Sequence, residues 1–336
     1  MKEASLYERK EDKKVKCNLC NHGCLILDGK RGICGVRENQ GGTLYSLVYG
    51  KLIAVHADPI EKKPLYHFLP GTPSLSIATV GCNFTCKFCQ NADISQMQRD
   101  QNKILGRDWG AKGVVKEAKR TNCASIAYTY TEPTIFFEFA RDIGTLAKKE
   151  KIENVFVSNG FMTKECIDAC KGWLGAANID LKAFNDKFYR DVCGARLEPI
   201  LGSLKYMKKA GIWVEVTTLV IPDANDSDEE LKQAAEFIAK EMGTETPWHL
   251  SAFHPDYKML DTRATNLETL MRAKKIGQDA GLEYIYIGNV YSEEGNQTKC
   301  PKCGEVLIRR FGFEVVSNKL KKGRCSECGK KIAGVF

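Results

Sequence analysis

The sequence lacks any apolar run that approaches the roughly 20 residues needed to span a membrane. Residues 1–14 form a mixed charge run without the apolar core of a secretory signal. No low-complexity tract and no repeat of domain length is visible. We therefore expect a soluble, cytoplasmic protein without a membrane partner and without a repeat architecture.

The composition is typical of a globular protein with a substantial core, since 43% of the 336 residues are hydrophobic and 9% are aromatic. This length allows one large α/β domain with small appendages, or two domains. The fifteen cysteines favour bound metals over disulfides, because most of them fall in clusters with metal-ligand spacing. The net charge of +8 is a mild excess, which favours a solvated surface over a nucleic-acid-binding patch.

One short cysteine motif dominates the sequence, and residues 79–91 contain it: Thr-Val-Gly-Cys-Asn-Phe-Thr-Cys-Lys-Phe-Cys-Gln-Asn. Cys82, Cys86 and Cys89 have the spacing CxxxCxxC, and no fourth cysteine or histidine lies near them in the sequence. A tetrahedral zinc or a complete iron–sulfur cluster takes four such ligands. Three cysteines on a four-iron cluster leave one iron with an open coordination position, where we expect the chemistry. The preceding apolar run predicts a buried strand, which places the site at the carboxyl edge of a parallel sheet.

With Phe88 directly before the last cysteine, this motif resembles the signature of the radical S-adenosylmethionine (radical SAM) enzymes. The resemblance implies a [4Fe-4S] cluster on Cys82, Cys86 and Cys89, whose open iron chelates the amino and carboxylate groups of S-adenosyl-L-methionine. Reduction of the cluster then cleaves the sulfonium and releases a 5′-deoxyadenosyl radical that abstracts hydrogen. Half of a zinc site, or three buried thiols, is the alternative explanation.

A second motif, Tyr128-Thr-Tyr-Thr-Glu-Pro-Thr134, lies between a predicted strand and a predicted helix. A helix N-terminus suits an anion and Glu132 suits an ammonium group, so this position suits an amino-acid zwitterion. It resembles the Gly-Gly-Glu motif of the family, with Tyr130-Thr131 in place of the two glycines. The form of the motif is similar to the branch related to pyruvate formate-lyase activating enzyme. Alone, Glu132 is also explained as an acid at a helix start.

Two further motifs end predicted strands. In Phe156-Val-Ser-Asn-Gly160, Ser158 and Asn159 offer polar groups for a ribose or a carboxylate, and a valine stands where the activating-enzyme branch often has an aspartate. In Asn178-Ile-Asp-Leu-Lys-Ala183, the two-residue period of a strand puts Asp180 and Lys182 on one face. The resemblance assigns Lys182 to the methionine carboxylate and Asp180 to cofactor or cation binding. A structural ion pair is the alternative.

His254 ends a later predicted strand, Trp248-His-Leu-Ser-Ala-Phe-His. The resemblance to the family makes it a candidate cofactor contact, and a packed side chain is the alternative. The residues predicted to bind the cofactor are therefore Phe88, Glu132, Ser158, Asn159, Asp180, Lys182 and His254.

A second cysteine set precedes the central motif. Cys17, Cys20, Cys24 and Cys34 lie within a short glycine-rich stretch that also contains His22. Four soft ligands this close predict a closed structural site for zinc or for an auxiliary iron–sulfur cluster, and thiolate ligands alone do not separate the two. Free thiols in a loop-rich segment are the alternative.

A third set follows in the tail, where two CxxCG motifs contain Cys300, Cys303, Cys325 and Cys328. Their spacing predicts a tetrahedral four-thiolate site, as in a zinc ribbon or a rubredoxin. Zinc there would be structural, whereas iron could relay electrons. The four remaining cysteines match no ligand pattern and are expected to be buried free thiols: Cys123, Cys166, Cys170 and Cys193.

Alternating strand and helix patterns from residue 74 onwards predict an α/β fold with a parallel sheet. The predicted strands are 75–80, 124–130, 154–158, 177–182, 212–220, 248–253 and 283–288. The predicted helices include 134–149, 163–171, 198–210, 228–241 and 267–280. This is fewer units than a complete eight-fold barrel, so we predict a partial (β/α)6 TIM-like barrel of the radical SAM type.

Three regions follow from this pattern. Residues 1–73 form a Cys-rich metal-binding segment with a β-hairpin at Gly50-Lys51, followed by an extended proline-rich coil at residues 58–73. Residues 74–295 form the partial barrel, and residues 296–336 form the small rubredoxin-like or zinc-ribbon-like module.

The whole arrangement resembles the radical SAM enzymes of the AmmeMemoRadiSam system. It implies reductive cleavage of S-adenosyl-L-methionine and hydrogen abstraction from an unidentified substrate, with electrons from a low-potential donor such as a ferredoxin or flavodoxin. One alternative is an activase that installs a glycyl radical on a protein partner. Another is a zinc-dependent nucleic-acid-binding module, which the sequence disfavours.

Overall fold

The computed structural model describes residues 1–292 and 295–336, and its centre is an eight-stranded sheet. Seven neighbouring strands are parallel, and each pairs with the next one in the chain. These strands are Pro73–Ala78, Ser125–Tyr128, Glu153–Ser158, Ala176–Asp180, Trp213–Val220, Trp248–Ala252 and Ile285–Gly288. Within the described residues the two outermost strands of the sheet do not pair with each other. The predicted partial, open barrel is confirmed.

Helices follow the parallel strands. They are Ala92–Ser95, Met97–Gln101, Ala111–Arg120, Phe137–Lys149, Lys164–Asp168, Asp186–Phe188, Glu198–Lys209, Asp228–Phe237 and Leu267–Asp279. Short 3-10 turns occupy Ile60–Lys62 and Pro133–Phe136, and short π-helical turns occupy Tyr189–Cys193 and Ile238–Met242. None of the helices in the described part of the chain has the length and apolar character to cross a membrane.

The hairpin predicted at Gly50-Lys51 is wrong. The strand Thr43–Ser46 pairs instead with Arg37–Gln40 across a two-residue turn. That turn is Gly41-Gly42, and both glycines have left-handed φ angles of 64° and 88°. A two-residue hairpin turn of this type needs positive φ at both positions, which a Gly-Gly pair adopts without steric cost. Gly50 is followed by Lys51, which pairs with Asp108 of the later strand Arg107–Asp108.

The remaining short strands of the N-terminal segment either extend the sheet of the hairpin or form two further small sheets. They are Lys2–Glu3, Tyr7–Arg9, Val15–Cys17, Leu25–Ile26 and Lys51–Leu52, with Arg107–Asp108 as the partner of the last. Lys2–Glu3 joins the hairpin, and Val15–Cys17 lies between two of the others. The strand Ala54–Pro59 leaves this segment and pairs antiparallel with Pro73–Ala78, so it forms the eighth, outer strand of the barrel sheet.

The proline-rich stretch is not an extended coil, since residues 60–69 form a buried plug against the sheet. Ile60, Leu65 and Phe68 are buried in one apolar cluster with small side chains of the parallel strands. Glu215, which is fully buried, accepts the backbone N–H groups of Tyr66 at 3.0 Å and His67 at 2.8 Å. The plug is therefore held by apolar packing and by a carboxylate whose hydrogen bonds offset its burial.

The C-terminal module is a three-stranded antiparallel sheet of Thr298–Lys299, Val306–Phe311 and Glu314–Asn318. It contacts the plug through Arg310, whose Nη2 donates to the Tyr66 carbonyl at 2.9 Å and whose Nε lies 3.4 Å from Glu61. Both members of this ion pair are fully buried. The predicted small antiparallel module with a four-cysteine group is confirmed.

Candidate active site

A cavity of about 400 Å³ lies at the carboxyl ends of the parallel strands, which is a volume typical of small-molecule sites. Cys82, Cys86 and Cys89 line it, together with residues from the ends of successive strands. Those predicted from the sequence are Phe88, Glu132, Ser158, Asn159, Asp180 and Lys182. Parallel α/β sheets bind their ligands at this edge, and the fold brings these separate motifs into one site.

Polar groups surround the sulfurs of the central cysteine motif. The backbone N–H of Phe84 donates to Cys82 Sγ at 3.3 Å, and Ser95 Oγ lies 3.1 Å from Cys89 Sγ. Burial raises the pKa of the Cys82 and Cys89 thiols. A raised pKa means that the buried thiolate is unfavourable, and a soft metal ion that binds the thiolate compensates for this cost. Hydrogen-bonded thiolates are the ligands of iron–sulfur clusters. The donor set therefore fits a cluster with three cysteine ligands.

A fourth cysteine lies behind the motif, which the sequence did not predict. The thiol of Cys193 neighbours that of Cys86, and this proximity, followed by burial, raises the pKa of Cys86. The Cys193 carbonyl accepts the backbone N–H of Thr85 at 2.8 Å, which fixes the two loops together. Cys193 is buried, as expected, but it is absent from the residues that line the cavity. Cys193 therefore packs against the motif on the side away from the cavity, and only the three cysteines of the motif face the cavity.

Glu132 joins two strand ends. Its carboxylate accepts the backbone N–H and the hydroxyl of Thr134, the Ser158 hydroxyl at 2.8 Å and the Asn159 backbone N–H at 2.9 Å. Asn159 in turn donates through Nδ2 to Asn83 Oδ1 at 2.7 Å, inside the cysteine motif. Burial raises the pKa of Glu132, while these donors oppose the rise. Glu132 thus positions Ser158, Asn159 and the cysteine loop relative to one another.

Tyr130 occupies the position where the resembled family usually has glycine, and its φ of 62° is in the left-handed region. Such a conformation costs on the order of 1–3 kcal/mol for a residue with a side chain. The ring has two partners that hold it there: its hydroxyl donates to Asp58, and the Lys63 ammonium lies 4.7 Å from the ring centroid. Tyr130, Lys62 and Lys63 all line the cavity. The two lysines are site residues that the sequence analysis missed.

Lys182 and Asp180 form an ion pair, with Nζ 2.8 Å from Oδ2, which is the contact named above as the alternative to cofactor binding. Burial alone would lower the pKa of Lys182, but the negative charge of Asp180 outweighs it and holds that pKa well above its usual value. Lys182 Nζ also lies 5.6 Å from the centre of the Phe88 ring. The site therefore keeps a fixed cation beside the cysteine motif.

His254 is the predicted cofactor-binding residue that the structure does not bring to this cavity. Its side chain is 57% exposed, and its nearest polar neighbours are the Pro255 carbonyl at 3.4 Å and Asp256 at 4.0 Å. Ser251, three positions earlier and within the strand, lines the cavity instead, as do Thr217 and Asn289 from neighbouring strand ends.

The C-terminal cysteines form a compact group whose four sulfurs all lie within 4.8 Å of one another. Two of the separations are short, 3.6 Å between Cys300 and Cys328 and 3.7 Å between Cys303 and Cys325. A tetrahedral ion with sulfur bonds of about 2.3 Å places its sulfurs about 3.8 Å apart. Backbone N–H groups of Cys328 and Glu327 lower the pKa of Cys325 to about 7. The group therefore has the geometry and the chemistry to hold one metal ion.

The four N-terminal cysteines line a second, smaller cavity together with His22 and Arg37. No disulfide joins any of the fifteen cysteines, and Cys123, Cys166 and Cys170 are buried free thiols as expected.

Comparisons with known proteins agree with this site. The family model of the radical SAM superfamily matches residues 76–238. An uncharacterized protein of Methanocaldococcus jannaschii, MJ0808, is 46% identical over 334 residues, which cover 99% of each chain. The pyruvate formate-lyase 1-activating enzyme of Escherichia coli is 23% identical over 61% of this chain and 89% of its own.

Among solved structures, that of Streptococcus suis SuiB bound to S-adenosylmethionine has a TM-score of 0.51 at 14% identity. The match covers 68% of this chain and 52% of that one, and at this identity it supports the fold alone. The family match, the cysteine motif and the converging strand ends lead to one assignment. The chain belongs to the radical SAM superfamily and is a radical SAM enzyme related to the pyruvate formate-lyase activating enzymes.

Proposed function

We propose that this protein reductively cleaves S-adenosyl-L-methionine and uses the resulting 5′-deoxyadenosyl radical to abstract hydrogen from a substrate not yet identified. The observation that carries the proposal is the convergence of Cys82, Cys86 and Cys89 with polar residues from successive parallel strands on one cavity. The radical SAM family implies a [4Fe-4S] cluster and S-adenosyl-L-methionine as cofactors. When bound, this pair supplies the radical chemistry, and the protein supplies binding, orientation and exclusion of water.

Each of the cavity residues has a separate task in this proposal. Cys82, Cys86 and Cys89 hold the cluster, and Lys182 supplies a fixed positive charge for a carboxylate. Ser158 and Asn159 present polar groups whose directions Glu132 fixes through two hydrogen bonds. Asp180 keeps Lys182 charged in spite of its burial. These side chains together suit the zwitterionic half and the ribose of the cofactor.

We assign the protein to the AmmeMemoRadiSam group within the superfamily. The support is the order of the three cysteine sets, with one set before the barrel, one at its first parallel strand and one in the tail. The cluster needs reduction by one electron at a time, and we propose a low-potential donor such as a ferredoxin or flavodoxin. A reducing cytoplasm suits fifteen unpaired thiols.

The test is the formation of 5′-deoxyadenosine and methionine by the anaerobically reconstituted protein with dithionite, measured by liquid chromatography and mass spectrometry. We expect product with the wild type and none above background with Cys86→Ala. Cys123→Ala, which removes a buried thiol outside the site, is the matched control and should retain activity. Full product formation by Cys86→Ala would refute the proposal.

A glycyl-radical activase is the second candidate, because the related Escherichia coli protein is an activating enzyme for pyruvate formate-lyase. This reading makes the substrate a protein backbone glycine rather than a small molecule. It predicts a glycyl-radical doublet in the EPR spectrum of a protein that co-purifies with this chain. Hydrogen abstraction from a small molecule, with no radical on any co-purified protein, would favour the first candidate.

A further inference from the structure

The four N-terminal cysteines enclose a cavity that the proposed radical chemistry does not use. Cys17, Cys20, Cys24 and Cys34 all line it, although they come from a strand, an isolated β-bridge, a loop and a turn. Backbone N–H groups near three of the sulfurs favour the thiolate form: His22 for Cys20, Ile33 for Cys24, and Val36 for Cys34. Such N–H···S bonds accompany thiolates that bind a metal or a cluster.

The separation of these sulfurs differs from that of the C-terminal group. Among the residues that the structure describes, the C-terminal quartet is the one set of three or more ligand atoms gathered within 4.8 Å of one another. Cys17, Cys20, Cys24 and Cys34 face one cavity without reaching that proximity. A single ion draws its four ligands together, whereas a four-iron cluster binds each cysteine through a different iron and keeps the sulfurs farther apart.

A buried cation also faces this cavity. Arg37 is 2% exposed and lines the cavity, and its Nε–H has no acceptor among the described residues. The other guanidinium nitrogens bind Glu138 at 2.7 and 2.9 Å, so the side chain is held rigidly. A buried donor without an acceptor costs about 1–3 kcal/mol. An anionic centre on four thiolates would give this N–H an acceptor.

The cavity lies next to the loop of the catalytic cysteines. His22, between Cys20 and Cys24, has its Nε2 2.8 Å from the Asn83 carbonyl. Arg99 Nη2 donates to the Ile33 carbonyl at 2.8 Å and to the Cys82 carbonyl at 3.0 Å, so one guanidinium connects the two cysteine loops. A side chain at Gly81, whose φ is 100°, would meet Val36 at 2.7 Å. The two loops are packed as one unit.

We propose that Cys17, Cys20, Cys24 and Cys34 hold an auxiliary iron–sulfur cluster of the four-iron type, and not a zinc ion, beside the catalytic cysteine loop. The C-terminal quartet holds the single ion. Iron–sulfur clusters exchange electrons one at a time, whereas zinc has no redox chemistry. The N-terminal segment therefore has an electron-carrying capacity that a zinc site would lack.

The experiment uses the full chain with Cys82, Cys86 and Cys89 all replaced by alanine, reconstituted anaerobically with iron and sulfide. This variant keeps the N-terminal and C-terminal cysteines and does not depend on cleavage of S-adenosyl-L-methionine. We expect about four irons and four acid-labile sulfides per chain to remain, with a Mössbauer spectrum typical of a four-iron cluster. Cys17→Ala/Cys20→Ala added to this background should remove both iron and sulfide. Cys166→Ala/Cys170→Ala, a pair of buried thiols, should remove neither.

The wild type provides a second measurement that needs no substitution. We expect about eight irons and eight sulfides per chain from two clusters. A wild type with about four of each, or a triple variant with zinc and no sulfide, would overturn the proposal. Either result would leave the radical SAM chemistry intact, because that chemistry is tested separately by 5′-deoxyadenosine formation.

Discussion

The thiol of Cys193 neighbours the thiol of Cys86, one of the three cysteines of the radical SAM motif, although the two are far apart in the sequence. The π-helical turn Tyr189–Cys193 brings them together, since its last residues accept the N–H groups of Thr85 and Lys87. Once Cys86 binds iron as a thiolate it has no proton to give. Cys193 is then the donor of an S–H···S hydrogen bond to a cluster ligand.

Replacing this donor should change the reduction potential of the catalytic cluster. Hydrogen bonds to cluster sulfurs favour the reduced, more negative state, so Cys193→Ala should make the potential more negative. An EPR-monitored redox titration of the reconstituted protein measures the shift. Cys193→Ser keeps a donor and should lie closer to the wild type, and Cys123→Ala should have no effect. An unchanged midpoint in Cys193→Ala would rule out this role.

Glu132→Gln should lower both stability and cofactor binding. In the variant, the amide NH₂ group faces groups that donate hydrogen bonds to the carboxylate in the wild type. In one orientation of the amide this is the Asn159 N–H, and in the other it is the Ser158 and Thr134 groups. An unsatisfied or opposed buried donor costs about 1–3 kcal/mol in the free energy of unfolding. Denaturant unfolding measures that loss, and equilibrium dialysis with S-adenosyl-L-methionine measures the affinity.

The matched control for this change is Glu198→Gln, at an exposed position in the first turn of a helix. It should alter the unfolding free energy by less than about 1 kcal/mol and leave cofactor affinity unchanged. If Glu132→Gln bound the cofactor as tightly as this control, Glu132 would have no part in positioning the site.

The parts that could be predicted from sequence are those that local patterns determine. The short apolar runs locate the parallel strands closely, since the prediction of residues 154–158 corresponds to the observed strand Glu153–Ser158. The cysteine motif is likewise a local signal. The helix Ala111–Arg120 is not among the predicted helices. The hairpin turn lies at Gly41-Gly42 and not at Gly50, because the position of a turn depends on which strands pair.

The parts that could not be predicted are contacts between distant segments. Cys193 lies behind Cys86, and Lys63 reaches the cavity from the plug, but neither residue belongs to a recognisable motif. His254 shows that a position near a strand end does not by itself bring a side chain to the cavity. The strand ends at Ala252, and beyond it the chain turns His254 towards solvent.

Asp58→Asn should destabilise the protein through the loss of a partner for Lys63. The Lys63 side chain is 1% exposed and lies 2.8 Å from Asp58. Removing one member of a buried pair leaves the other charge uncompensated and costs about 3 kcal/mol. Denaturant unfolding at pH 7 measures this, with Asp108→Asn as the control. Asp108 is 88% exposed, so its loss should cost less than about 1 kcal/mol.

The same pair gives a pH dependence. Burial would raise the pKa of Asp58, but its bonds to Lys63 and Tyr130 outweigh it and hold that pKa well below the usual range. A depressed carboxyl pKa contributes stability that is complete above the unfolded value of about 3.9 and is lost only as the pH falls towards the folded value. The difference between the wild type and Asp58→Asn should therefore stay constant from pH 7 to pH 5. A difference that shrinks within this window would mean that Asp58 takes up its proton there and that its pKa is not depressed.

The C-terminal quartet should lose one metal ion per chain in Cys325→Ala, without loss of acid-labile sulfide. A four-thiolate site whose sulfurs all lie within 4.8 Å of one another, with two pairs at 3.6 and 3.7 Å, fits one tetrahedral ion, and removing a ligand opens it to chelators. Because Tyr284 and Tyr286 of the barrel edge pack in the same apolar cluster as Cys300 and Cys325, the loss should also lower the melting temperature. Elemental analysis and thermal unfolding measure the two effects. If the variant kept the same metal content and the same melting temperature, the metal would be bound elsewhere in the chain. The quartet would then hold no ion, and its compact geometry would result from packing alone.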